Sequence, residues 1–449
     1  MERNEGSGNV CHDISHLSER LKRGSVDLLA ANLLPAMLRT RTAMRISIVT
    51  DTFAPNLNGV AMSLERFSRG LLERGHGVHL ISPVKAAGQS LVGFPGFYRY
   101  RTDRVPLPGY SGLRLGVPTS RKFRKIWKDN RPDIIYIATE AAMGVTALRV
   151  ARKREIPIAS GFHTNFHSYS KDYSLSFLED VATDYLRRVH NETDATFAPV
   201  EDVAEKLRST GFKNVHVLGR GVDTALFNPG RRSDELRKSW GASPDDPVAL
   251  YVGRIALEKN LDLFFKACDA MREKVPTLKV VVVGDGPQLE NFKEAHPEAI
   301  FAGVKRDEEL AACYASADWF PFPSTSETYG NVVVEALASG LQVVAFDYAA
   351  PAKFIEDGKN GYLCPMAAED AFVAACLRAI EGGTATELRA AAVRAATGES
   401  WERVVSNFEA ALEKIVAEYK PRGPISFDVE LKSPWAKHPK APSSFLRKE

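Results

Sequence analysis

Residues 323–347 restrict the fold of this chain more than any other stretch: Pro-Ser-Thr-Ser-Glu-Thr-Tyr-Gly-Asn-Val-Val-Val-Glu-Ala-Leu-Ala-Ser-Gly-Leu-Gln-Val-Val-Ala-Phe-Asp. The Ser/Thr cluster at 324–326 offers N-capping oxygens, and an apolar helical run follows from Val332. Gly340 ends that run, because glycine takes the left-handed backbone that closes a helix. Residues 343–346 (Val-Val-Ala-Phe) then read as a short buried strand. Loop, helix and buried strand in this order form the repeating unit of a parallel α/β domain.

Two carboxylates interrupt the apolar pattern. Glu327 precedes the helix, and Glu335 lies inside it between Val334 and Ala336. Desolvating a lone carboxylate is costly unless a partner compensates it. A ribose diol is such a partner, since both hydroxyls can donate to an ionised carboxylate. Unpaired amides near Tyr329, Gly330 and Asn331, at the helix start, suit an anion. A sugar near Glu327, a diphosphate at the helix start and a ribose at Glu335 would make one extended ligand. A solvated glutamate on an amphipathic helix, with a capping glutamate before it, accounts for the same pair, and short motifs recur by chance. The residues alone leave both readings open.

The same grammar runs along most of the chain. Strands are expected at residues 45–50, 78–81, 133–137, 156–160, 197–200 and 215–218, and again at 248–252, 279–283 and 300–303. Helices are expected at 61–75 and 201–210, with a strongly amphipathic one at 401–419. A stretch rich in Gly, Pro and Tyr, 84–118, reads as a long irregular loop of the kind that shapes a binding pocket. Residues 1–43 fit none of this: their start is acidic where a signal peptide needs basic residues, and no role is assigned to them. Residues 421–449 read as a basic, proline-containing tail.

Composition removes several classes. Hydrophobic residues make up 44% and charged ones 26%, as in a soluble globular protein. A net charge of +3 argues against wholesale nucleic-acid binding. The five cysteines contain no C-x-x-C pair, which points to reduced core residues. No apolar run reaches membrane-spanning length. The charge is uneven, however: residues 121–131 carry six cations and one carboxylate, interleaved with Phe123, Ile126 and Trp127 at helical spacing. A surface helix packed on a sheet explains this, and so does a helix lying on an anionic membrane through Arg121, Lys122, Phe123, Arg124, Lys125 and Trp127. The membrane reading is preferred.

Taken together, the motifs resemble glycosyltransferase family 4 over about residues 44–420. The resemblance rests on Glu327 and Glu335 in an E-x7-E pattern around Gly330, on F-x-P-N-x-N-G-V ending at Asn58-Gly59-Val60, on G-F-H-T-N-F at 161–166 and on G-R-G-V-D-T-x-L-F at 219–227. It implies an α/β GT-B fold: two Rossmann-like doubly wound domains facing across a cleft, with a C-terminal helix returning to the first. The expected divisions are an acceptor domain at 44–218, a nucleotide-sugar domain at 219–398 and a return helix at 399–420.

The resemblance also implies roles. His163 would contact the transferred sugar, Arg254 and Lys259 the diphosphate, and Glu327 the sugar as a fourth catalytic group. Gly59, Gly284, Tyr329, Gly330, Asn331 and Glu335 would complete the donor site. Family members usually carry two glycines where this chain has Asn58-Gly59, which weakens the first backbone contact. No D-x-D occurs, so no metal or other cofactor is expected. The implied activity is retaining hexosyl transfer, with GDP-mannose as favoured donor and a lipid or glycolipid as acceptor, by a peripheral enzyme at the cytoplasmic membrane face. A UDP-sugar-dependent glucosyl-, galactosyl- or sulfoquinovosyl-diacylglycerol synthase and a nucleotide-sugar epimerase are the alternatives.

Overall fold

Continuous apolar runs form the strands of two parallel sheets, each covered on both faces, as buried parallel strands require. The computed structural model describes residues 43–56, 58–85, 90–106, 114–117, 119–163, 176–383 and 386–425. The extension before Ala43, the tail after Ile425, and the Tyr169, Lys171 and Tyr173 region lie outside them. The described chain from Met44 onward belongs to a single unit.

The first half supplies β1 (Arg45–Val49), β2 (Gly77–Ser82), β3 (Phe97–Arg101), β4 (Arg104–Pro106), β5 (Arg114–Gly116), β6 (Ile134–Ile137), β7 (Ile158–Gly161), β8 (Ala195–Ala198) and β9 (Val215–Val217). Seven of these make an all-parallel sheet in the order β3-β2-β1-β6-β7-β8-β9. The second half supplies β10 (Val248–Val252), β11 (Lys279–Val283), β12 (Ile300–Gly303), β13 (Trp319–Phe322), β14 (Gln342–Phe346) and β15 (Tyr362–Cys364). Their order is β12-β11-β10-β13-β14-β15, again parallel throughout. Each order reverses once, beside β1 and beside β10, which makes both sheets doubly wound.

The helix Trp401–Glu418 runs from the second half back onto the first, capped by the Ser400 hydroxyl accepting from Arg403 N–H. Its Phe408 ring lies 4.7 Å from Phe67, 5.1 Å from Tyr136 and 5.7 Å from Phe197. Glu409 is fully buried beside them, taking Arg74 at 3.2 Å and His76 at 2.8 Å. The last helix is thus part of the first domain's core.

Three expectations need correction. The stretch 84–118 is not irregular throughout: Phe97–Arg101 is the edge strand β3, and β4 pairs antiparallel with β5. The alternating Phe-Tyr-Arg-Tyr-Arg is a half-exposed strand pattern, obscured by the glycines and prolines around it. The Ser/Thr cluster does not cap the helix of the second half, which runs Asn331–Ala338 behind Gly330 at φ +98°, with no side-chain cap. Only glycine takes that backbone without strain. Finally, Phe123 and Trp127 on the helix Ser120–Asp129 are wholly buried against Ile135 and Ile137, and the Trp127 indole donates to Ser47 Oγ at 3.2 Å. Neither ring is available to a membrane. Arg121, Arg124 and Lys125 are exposed and Lys122 is partly so.

Candidate active site

In doubly wound sheets ligands bind beyond the carboxyl ends of the strands, at the reversal. The loop after β1 leads to Gly59, the residues after β7 include His163, β10 leads into Gly253-Arg254, and β13 leads to Glu327. The sequence-derived residues therefore stand where the topology allows a ligand.

Three segments meet there. A Cβ on Gly59 would lie 3.1 Å from Arg220 Nη1 and 3.7 Å from Asn331 Nδ2, so the first half, the connecting segment and the second half approach closely here and a side chain would crowd the guanidinium. Arg220 Nη2 lies 3.4 Å from His163 Nδ1, and His163 Nε2 is 3.4 Å from the Tyr136 hydroxyl. With the guanidinium donating, His163 Nδ1 is the acceptor and Nε2 carries the proton. Burial, Arg220 and His190 together lower the His163 pKa to about 3, so the imidazole is neutral. It serves as an acceptor or a polar contact, not as a proton store.

On the other side, Lys259 Nζ contacts Glu327 Oε1 at 2.5 Å, and Ser324 Oγ donates to the same oxygen at 2.9 Å. The Glu327 amide donates to Tyr348 Oη at 3.0 Å, which fixes the loop before Gly330. With Lys259 and Glu327 offsetting each other, the free amides of the helix start give this corner its positive potential. Asn331 Oδ1 is buried with no hydrogen-bond partner, a sign that a donor belongs there. Arg254 does not join this pair; its side chain is 60% exposed and reaches Glu258 at 3.4 Å. Gly284, at φ +146°, lets the loop after β11 pass against Gly253, where a Cβ would meet the Gly253 carbonyl at 1.9 Å.

The Tyr329 side chain is not free for a donor. It is buried, and its hydroxyl donates to the Arg220 carbonyl at 2.5 Å, leaving only backbone to face a ligand. Glu335 is buried too, and Tyr314 Oη donates to its Oε2 at 3.0 Å. Burial pushes its pKa to about 7, against smaller opposing effects of that bond and of Arg66. Among the described residues no cluster suited to a metal occurs, and the four described cysteines are buried and free.

Sequence reasoning quoted Arg220 inside a motif and gave it no role. The available signal was a cation with glycine on both sides, since Gly219 and Gly221 have no side chain to shield it.

Residues 57–226 match the family model for Glycosyltransferase Family 4, and residues 232–398 match that for Glycosyl transferases group 1. A GDP-mannose-dependent alpha-mannosyltransferase of Corynebacterium glutamicum is 32% identical over 386 residues, covering 86% of this chain and 92% of that protein. An alpha-monoglucosyldiacylglycerol synthase of Acholeplasma laidlawii is 29% identical over 342 residues, 71% of this chain and 84% of that protein. Among solved structures, Anabaena HepE in complex with UDP and glucose superposes with a TM-score of 0.64 at 18% identity, covering 82% of this chain and 99% of that one. At that identity the likeness concerns the fold alone, and the fold it shares is GT-B.

Proposed function

The chain belongs to glycosyltransferase family 4, and from that premise we propose that it transfers a hexose, mannose from GDP-mannose by preference, to a lipid or glycolipid acceptor at the cytoplasmic face of a membrane. The observation carrying this reading is the meeting of Arg220 and Asn331 at Gly59, with Arg220 in turn reaching His163 and with Lys259 paired to Glu327. The mannosyltransferase relative supports the donor, and the diacylglycerol-using relative supports the acceptor class.

Transfer proceeds with retention and without a metal. The bond from the anomeric carbon to the β-phosphate oxygen breaks, and its electron pair stays on the phosphate. The acceptor oxygen bonds to the same face of that carbon, and its proton passes to the departing phosphate oxygen. The developing charge is met by Lys259, Arg254 and the amides at Gly330 and Asn331, which act as a fixed electrostatic clamp. Glu335 accepts from the ribose hydroxyls. Neutral His163 contacts the sugar, which agrees with a reaction that needs no protein base.

No described helix is long and apolar enough to cross a membrane. The exposed cations of Ser120–Asp129 would hold the enzyme on an anionic leaflet by charge alone. A donor screen tests the whole reading: GDP-mannose, UDP-glucose, UDP-galactose and UDP-glucuronate against diacylglycerol, glycolipid and phosphatidylinositol, with and without chelator. GDP-mannose consumption that depends on a lipid acceptor is expected. A UDP-glucose preference would favour the diacylglycerol glucosyltransferase reading, which the Acholeplasma relative supports. Release of an altered nucleotide sugar without acceptor would mark an epimerase.

A further inference from the structure

Arg220 is 5% exposed, yet no carboxylate lies within ion-pair distance of it among the described residues. The nearby acids are taken: Glu327 by Lys259, Asp223 by Arg66 at 3.0 Å, and Glu399 by Lys353 at 2.8 Å. Among the described residues its guanidinium touches only neutral groups, His163 Nδ1 at 3.4 Å and the Tyr329 ring at 5.6 Å, with Glu327 acting on it from a longer range. A buried, unpaired cation is expensive, and evolution keeps one where something else supplies the negative charge.

The backbone shows that this position is enforced. Gly221 has no room for a side chain, since a Cβ there would lie 2.5 Å from the Trp401 amide nitrogen. The Arg220 carbonyl is held by Tyr329 Oη, and the next residue, Val222, donates to the Glu399 carbonyl at 3.0 Å. With its main chain fixed on both sides, the side chain is directed toward Gly59 and Asn331. Asn331 opens the helix Asn331–Ala338 and holds an unpartnered oxygen. A cation, a helix N-terminus and the Asn331 amide nitrogen therefore stand around Gly59, whose lack of a side chain leaves room between them.

We propose that Arg220 is a phosphate-binding cation of the donor site, receiving the diphosphate oxygen that leaves the anomeric carbon. The inference rests on the family-4 reading above. It adds a positive group on the segment joining the two sheets, next to the proposed sugar-contacting histidine. The arginine fork holds two phosphate oxygens where a lysine holds one. Because the ligand-free protein bears the cost of an unpaired charge there, the same residue lowers stability until the anion arrives.

The test compares wild-type protein with R220M and R220K in the full chain, titrating GDP, UDP, guanosine and uridine by calorimetry and recording melting temperatures without ligand. In R220M the affinity for the preferred nucleoside diphosphate should fall on the order of 10- to 100-fold, with nucleoside affinity unchanged. R220K should recover part of the loss. The ligand-free melting temperature of R220M should equal or exceed that of the wild type. Unchanged diphosphate binding in R220M overturns the inference, as does a lowered melting temperature with nucleoside and diphosphate binding reduced alike. E335A serves as the control for the donor site and should weaken nucleosides and diphosphates together. Weakening in E335A with none in R220M removes Arg220 from the site and leaves the family reading standing; failure of the wild type to bind GDP or UDP removes both.

Discussion

Lys259 Nζ lies 2.5 Å from Glu327 Oε1, and both side chains are more than four-fifths buried. Each therefore neutralises the other in the ligand-free protein, and in the proposed donor complex the substrate's charges are inserted into that pair. Lys259→Met removes the positive group proposed to meet the leaving phosphate and should lower kcat/KM by about 10²–10³-fold. It also leaves Glu327 with only Ser324 on its carboxylate, so stability should fall by roughly 1–3 kcal/mol. Steady-state kinetics and denaturant unfolding check the two effects separately. A variant as active as wild type would detach Lys259 from the chemistry.

If Glu335 binds the donor as proposed, stability and donor binding should respond to pH in opposite directions. Its folded pKa, about 7, lies above the ordinary value of 4.5 because burial disfavours the charged form. The group's stabilising effect is thus fully present below 4.5 and is lost as pH rises through about 7. Wild type should lose about 3 kcal/mol relative to Glu335→Gln between pH 5 and pH 8. Under the proposed role of Glu335 as ribose acceptor the carboxylate must be ionised, so wild-type nucleotide affinity should strengthen over the same interval and that of the variant should not. Urea unfolding and calorimetry at pH 5, 6, 7 and 8 measure both.

Much of this was legible from local pattern. The strand at 343–346 and the helix at 401–419 announce themselves by unbroken apolar runs or by one apolar face, because neighbours along the chain settle that burial. What escaped depends on residues far apart. Gly330 became the helix start because the loop tied down by Tyr348 and Glu327 arrives with a left-handed turn, and no serine oxygen reaches it. Trp127 faces the core because Ser47, 80 residues earlier, stands opposite its indole, while an amphipathic pattern fits a sheet and a bilayer equally well. Arg220 was invisible as a functional group, since its want of a carboxylate partner appears only when Glu327, Asp223 and Glu399 are seen engaged elsewhere.

The helix Ser120–Asp129 should bind membranes through charge without insertion. Replacing Arg121, Lys122, Arg124 and Lys125 by Gln removes about 1 kcal/mol of attraction per cation near an anionic surface. Affinity for phosphatidylglycerol vesicles at low salt should drop on the order of 10²- to 10³-fold, with folding unaffected. Vesicle sedimentation that is indifferent to the four replacements would make the helix ordinary surface. Trp127→Ala, in contrast, should cost about 3–5 kcal/mol of stability, because the ring fills the core beside Phe123.

Gly70 tests how tightly the returning helix is fitted. A glycine inside a helix normally costs about 1 kcal/mol relative to alanine, so propensity alone makes Gly70→Ala stabilising. The packing says otherwise, for the added Cβ would lie 2.7 Å from both γ-carbons of Val405 on the helix Trp401–Glu418. Val405 is 3% exposed, and Phe67 and Phe408 pack in the same core, so it has little room to yield. Overpacking of this kind typically costs 1–3 kcal/mol and outweighs the propensity gain. Gly70→Ala should therefore lower the unfolding free energy, and Gly70→Ala combined with Val405→Ala should lose less than the two single losses added. A double-mutant cycle in urea measures that coupling, expected at about 0.5–3 kcal/mol. A coupling near zero would mean that the two helices slide apart freely, in which case the return helix does not fix the first sheet's core as the Phe408 contacts indicate.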